Sequence, residues 1–111
     1  MKLFEVLKKV RELERTQLPF IRSVIDFDIL IEIGYAEETR RPMTLKQVLL
    51  LNLSSRTTVR RRVLKLIKEG VVRRRADAND RRSSLLTISS SNLKLMAKYG
   101  AAMTAIWASM A

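Results

Sequence analysis

Apolar residues near the start fall into helical spacing. Leu3, Leu7 and Val10, with Val6 and Leu13 beside them, recur every three or four positions while Lys and Glu fill the other side, which predicts an amphipathic helix over 1–15. Pro19 suits the first turn of a second helix, where its missing N–H costs little, and that helix runs to about Tyr35. It holds Phe20, Ile21, Val24, Ile25, Phe27, Ile29, Leu30, Ile31 and Ile33 and is apolar on more than one face, as befits a helix central to the core or to a subunit interface. Its β-branched content leaves a strand open; its length favours a helix. After a polar connection over 36–43, Thr44 caps a short helix over 45–51, with Gln47 at the reciprocal capping position. Residues 52–54 form a tight turn, Ser55 caps the next helix, and Gly70 ends it. Two short strands, 71–75 and 85–89, flank a loop over 76–84, and Ser89 caps a last helix over 90–110. The fold class expected is mainly α with a small β-hairpin (α+β), a winged helix-turn-helix with N- and C-terminal helices. It is read as one domain: N-terminal helices over 1–43, helix-turn-helix and wing over 44–89, and a C-terminal helix over 90–111.

Charge changes the picture from architecture to partner. The chain has 22 Lys+Arg against 11 Asp+Glu, a net of +11. Residues 54–82 alone carry 11 basic and three acidic side chains, so +8 of that excess lies in one helix and one hairpin. A concentrated positive field attracts polyanions, because each neutralised phosphate releases counterions. Clustering on a helix and hairpin favours nucleic acid over an acidic membrane or protein. There is no Cys and no His, which excludes disulfides, zinc sites and most nucleophile–base pairs. No cofactor is expected. The apolar region 20–33 is interrupted by Arg22, Asp26, Asp28 and Glu32, and the N-terminus lacks a signal-peptide core, so a cytoplasmic protein without a membrane span is expected.

On a helical wheel of residues 55–69, Val59, Val63, Leu66 and Ile67 form a buried stripe. Thr57, Arg61, Lys65 and Lys68 point the other way, and Arg60 and Arg62 lie on the flanks. Thr57 and Arg61 sit in the half of a recognition helix that enters the major groove. Arg can bond guanine O6 and N7 together, and the Thr methyl can touch a thymine methyl. Ser55, Arg56, Arg60, Arg62 and Lys65 complete the helix's DNA-binding set, the flanking and later cations being suited to phosphate. Taken alone, such a run is a solvated basic face; the preceding helix and turn tip the balance. Leu64 falls toward the exposed side, where packing on the wing or a neighbouring helix would account for it. In the hairpin tip, Arg81 and Arg82 are the DNA-binding candidates, an arginine there being able to enter a narrow minor groove. Asp80 is expected to orient an arginine through a bidentate pair.

The run Ser55-x-x-Thr58-Val59-x-Arg61, then Leu66-x-x-x-Gly70-Val71-Val72-x-Arg74, then Asp80-Arg81-Arg82-Ser83 and Ile88-Ser89 resembles the winged-helix core of MarR-type transcriptional regulators. In that family an Asp-x-Arg wing signature is followed at fixed spacing by Leu-Thr; here Asp80 and Arg82 match, and Ile88-Ser89 stand where Leu-Thr would be. The resemblance covers about 44–91. It implies a homodimer on an inverted-repeat operator, with the recognition helix in the major groove and the wing arginine in the minor groove. Any small-molecule effector is left open.

The last helix is apolar on several faces, and Gly and Ala permit close approach. Met103, Trp107 and Met110 are the dimerisation candidates, whereas Leu93 and Ala97 are expected to pack within the chain. Asp26 and Asp28 diverge on a helix and make a poor acid–base pair, and no Gly-rich phosphate loop is present, so catalysis is not expected. The function expected is a sequence-specific regulator of double-stranded DNA; the alternative is a winged-helix general nucleic-acid binder or interaction module without a specific operator.

Overall fold

Seven elements follow one another in the computed structural model, which describes residues 1–110. They are α1 (Leu3–Gln17), α2 (Val24–Glu38), α3 (Leu45–Leu49), α4 (Arg56–Lys68), β1 (Val72–Ala76), β2 (Ser84–Ile88) and α5 (Ser90–Ala108). The chain is mainly helical with one two-stranded antiparallel hairpin, as expected. It divides into two compact units, Met1–Ile21 with the residues from Ser90 onward, and Arg22–Ser89.

In the second unit, side-chain caps fix where the helices begin. The second helix does not start at Pro19. Leu18 ends α1, Pro19 and Phe20 form a turn closed by the Ile21 N–H to the Leu18 carbonyl at 3.0 Å, and Ser23 caps α2. The reason is chemical: the Ser23 hydroxyl accepts the Asp26 N–H, an orphan donor of the first turn that Pro19 has no acceptor for. At α3 the reciprocal box forms as expected, Gln47 N–H donating to Thr44 Oγ1 and Thr44 N–H to Gln47 Oε1. Asn52 then takes a φ of 57°, reversing the chain within a few residues. Ser55 accepts the Thr58 N–H and opens α4.

Gly70 closes α4 at a φ of 78°, where a Cβ would be strained. The Val71 N–H reaches back to the Leu66 carbonyl at 2.9 Å and the Gly70 N–H to Ile67 at 3.0 Å, the paired bonds of a Schellman end. The strand pairs Val72↔Ile88 and Arg74↔Leu86 share one face of the hairpin, and Arg73↔Thr87 and Arg75↔Leu85 share the other. Val72, Leu86 and Ile88 on the first face are buried with Ile29, Leu30 and Ile33 of α2, Val48 of α3, and Val59, Val63 and Leu66 of α4. Each such fully buried side chain contributes about 1.5–3 kcal/mol.

Two further links brace the unit. Leu86 N–H donates to the Met43 carbonyl at 2.8 Å and Thr44 bridges to Leu85, so the chain entering α3 runs alongside β2. Glu37 Oε1 accepts the Ile88 N–H at 3.0 Å. Gly34, one turn earlier, lets α2 approach that closely, since a Cβ there would stand 3.3 Å from Ile88 Cδ1.

In the first unit α1 and α5 pack against each other, and Val6, Leu18 and Tyr99 are buried. Much apolar surface is left uncovered. Leu3, Phe4 and Leu7 of α1 and Leu95 and Trp107 of α5 are exposed, Phe4 by 79 %. Leu93 and Ala97, expected to pack within the chain, are exposed as well, because α5 buries only Tyr99 among its side chains.

Candidate nucleic-acid interface

The outer side of α4 is built by what its inner side buries. With Val59, Val63 and Leu66 turned inward, Thr57, Arg61, Lys65 and Lys68 are all exposed and lie on successive turns. Arg56 and Arg60 are exposed on the side toward α3, lining a groove with Leu45, Leu49 and Thr57. The first turn of α4 holds no acidic residue and places Arg56 against the positive end of the helix dipole. A cation there disfavours the helix by a few tenths of a kcal/mol or more, whereas the same spot suits a phosphate. Ser55 works in the cap: its hydroxyl accepts the Thr58 N–H and lies 2.8 Å from Thr58 Oγ1. Leu64 remains 39 % exposed and borders a groove with Arg22, Lys65 and Lys68.

Arg62 is not on this surface in the sense expected. Its guanidinium turns toward α2 and holds Asp26 through two parallel bonds, Nε to Oδ1 and Nη2 to Oδ2, both 2.7 Å. The Asp26 side chain is completely buried and that of Arg62 is 19 % exposed. The Arg22 backbone N–H adds a third donor to Oδ2 at 3.0 Å. Burial pushes the Asp26 carboxyl up, but the bonds from Arg62, the Arg22 N–H and Ser23, with the Arg62 charge, outweigh it and hold the group below the usual carboxylate range. The hydrogen bond and charge of Asp26 in turn raise Arg62. A second tie runs from Arg22 Nη1 to Glu69 Oε1 at 2.9 Å. A helical wheel cannot reveal this partner, which lies 36 residues earlier in the chain.

The wing also departs from expectation in its detail. Asp80 makes no ion pair with an arginine. Its Oδ1 accepts the Arg82 backbone N–H at 2.9 Å and its Oδ2 the Ser83 hydroxyl at 3.2 Å, while Asp77 does the same for the Asn79 N–H. These are turns in which a short carboxylate mimics a backbone carbonyl, so Asp80 shapes the loop that carries Arg81 and Arg82 instead of gripping a guanidinium. Both arginines are exposed.

Two residues outside the expected set join the surface. Lys46 of α3 and Arg74 of β1 line one groove with Arg82, between the start of α3 and the hairpin. Arg74 follows the strand alternation: it lies on the same face as Val72 but beyond the buried core. That period-two signal was present in the sequence, and the Thr44 cap already placed Lys46 in the first turn of α3.

A family model described as the MarR family matches residues 22–83, more than half of the chain. The chain belongs to the MarR family. Its fold matches solved members. The transcriptional regulator Tm0710 of Thermotoga maritima is 25 % identical with a TM-score of 0.70, the match covering 96 % of this chain and 72 % of that one. A MepR variant from S. aureus bound to an oligodeoxyribonucleotide is 17 % identical with a TM-score of 0.74, covering 96 % and 74 %. A further S. aureus MepR–DNA complex is 18 % identical with a TM-score of 0.63, covering 96 % and 79 %. No curated protein matches the sequence. Against this winged-helix frame, α3 and α4 of the MarR-family chain are the helix-turn-helix and β1–β2 the wing. Among the described residues no helix is long and apolar enough to cross a membrane, and no cluster of acidic side chains is arranged to hold a metal.

Proposed function

We propose that this chain is a DNA-binding transcriptional regulator that reads a double-stranded operator, α4 in the major groove and the wing arginines Arg81 and Arg82 at the minor groove. The observation that carries the reading is the exposed strip Thr57, Arg61, Lys65 on a capped helix whose opposite face is buried in the core. Arg61 and Thr57 are the base readers; Arg56, Arg60, Lys65, Lys46 and Arg74 hold phosphates. DNA bound to the MepR relatives supports the same use of the fold. The uncovered apolar side chains of α1 and α5, Phe4 and Trp107 foremost, favour a homodimer joined through that unit, with Met103 and Met110 beside them. Two copies would then present two reading helices to a two-fold operator.

Selection of bound fragments from random DNA, followed by titration of the selected site across a salt gradient, tests this. The expected outcome is a palindromic motif bound at least about 10³-fold more tightly than bulk DNA. Arg61→Ala should relax one position of each half-site. Equal affinity for all sequences at physiological salt would replace the reading with a general nucleic-acid binder.

A further inference from the structure

We propose that the Asp26–Arg62 ion pair sets the rotation of α4 about its own axis and is thereby a positioning pair for sequence discrimination, a role that rests on the proposed reading of DNA by α4. The apolar stripe Val59, Val63 and Leu66 decides which side of α4 faces the core, but dispersion and burial are non-directional and do not by themselves set the fine azimuth of the helix. The ion pair is directional. A guanidinium fork meets a carboxylate in one plane, and both bonds here are 2.7 Å long. Arg62 is the neighbour of Arg61, about 100° further round the helix, so fixing one azimuth fixes the other. Side chains extend about 5–6 Å from a helix axis, so a turn of about 20° displaces their ends by about 2 Å. That exceeds the range over which a base-edge hydrogen bond survives.

The carboxylate is a firm stop. Asp26 lies in the first turn of α2, where the helix dipole favours a negative charge, and the Arg22 N–H donates to its Oδ2 as well. The Arg22–Glu69 bond ties the far end of α4 to the same segment of chain. That second pair is more exposed and contributes less. The start of α2 thus grips α4 at two points along its length, and neither grip uses a residue of the exposed strip.

Two variants separate positioning from other roles. Arg62→Lys keeps the charge and loses the fork; Asp26→Leu with Arg62→Met replaces the pair by apolar groups of similar size, a change that a fold often tolerates. Affinity for the selected operator should fall about tenfold or more in both, as when a base contact is lost, while affinity for random DNA and the salt slope stay as in the parent. A salt slope reduced by about one, with specific and random binding weakened alike, would overturn the proposal by making Arg62 a phosphate contact. Folded variants that keep the parent's operator preference would overturn it too. A DNA-free arm stands apart from the reading of DNA: spin labels on Tyr35 of α2 and Lys65 of α4 should report a distance shifted or broadened by about 2 Å in Arg62→Lys. An unchanged distance refutes the positioning role, whereas a shifted distance in a parent protein that prefers no sequence refutes only the operator function.

Discussion

Removing Arg62 and removing Asp26 should not cost the same, and the difference should depend on pH. Arg62→Ala strands a carboxylate with no exposure, left with the Arg22 N–H and Ser23 as its partners. Breaking a buried pair in this way costs about 3–5 kcal/mol, a large share of the roughly 5–15 kcal/mol that holds a domain folded. Asp26→Ala strands a guanidinium that keeps 19 % of its surface, so water can reach it and the loss should lie at or below the lower end, about 3 kcal/mol. At about 4 °C per kcal/mol, Arg62→Ala should lower Tm by at least about 12 °C. The pH dependence follows from the carboxyl. In the parent, Asp26 is held below its usual range, so its contribution is complete above the unfolded value of about 3.9 and is lost as pH falls through the folded value. In Arg62→Ala the burial that already pushes the group up loses its main opponent. The folded carboxyl then rises, so that variant loses less stability than the parent as it takes up the proton. Urea unfolding at pH 7, 5 and 3.5, followed by circular dichroism, should show the gap between parent and Arg62→Ala narrowing toward acid. A gap that is constant or widens, or an Asp26→Ala that costs more than Arg62→Ala, would refute the reasoning.

Three other perturbations report on separate parts of the structure. Glu37→Ala leaves the Ile88 N–H unpaired beside a side chain only 4 % exposed and should cost about 1–3 kcal/mol in urea unfolding, with Glu37→Gln costing less because its amide oxygen still accepts. Asp80→Ala removes the acceptor for the Arg82 N–H and the Ser83 hydroxyl; amide exchange at Arg82 should quicken while global stability changes by less than about 1 kcal/mol, and DNA affinity should fall. Phe4→Asp combined with Trp107→Asp should convert a sedimenting dimer to monomer and abolish the concentration dependence of Tm; a Tm independent of concentration in the parent would place the dimer surface elsewhere.

Wherever the governing interaction is short-range, the amino-acid order alone was enough. Thr44 with Gln47, Ser55 with Thr58 and the Gly70 stop each satisfy backbone groups within a turn, so their residue types name their positions before any fold is known. Of the stripe Val59, Val63, Leu66 and Ile67 that a 3.6-residue period predicts, the first three are buried and Ile67 is half-buried, and Arg74 follows from a two-residue period in the same way. Pro19 and Ser23 are both good helix openers, and only the Asp26 N–H, donated to Ser23, decides between them as the start of α2. Asp80 has arginines beside it in the sequence, but the Arg82 N–H and the Ser83 hydroxyl are nearer competitors for its carboxylate than any guanidinium. Arg62 could not be placed from its helix at all. On a wheel it is one more cation beside Arg60 and Arg61, and its charge is indifferent to whether a phosphate or a carboxylate answers it. Tertiary packing decided, by carrying Asp26 from α2 into a buried position where an unpaired carboxylate is too costly to keep and Arg62 alone supplies two aligned donors.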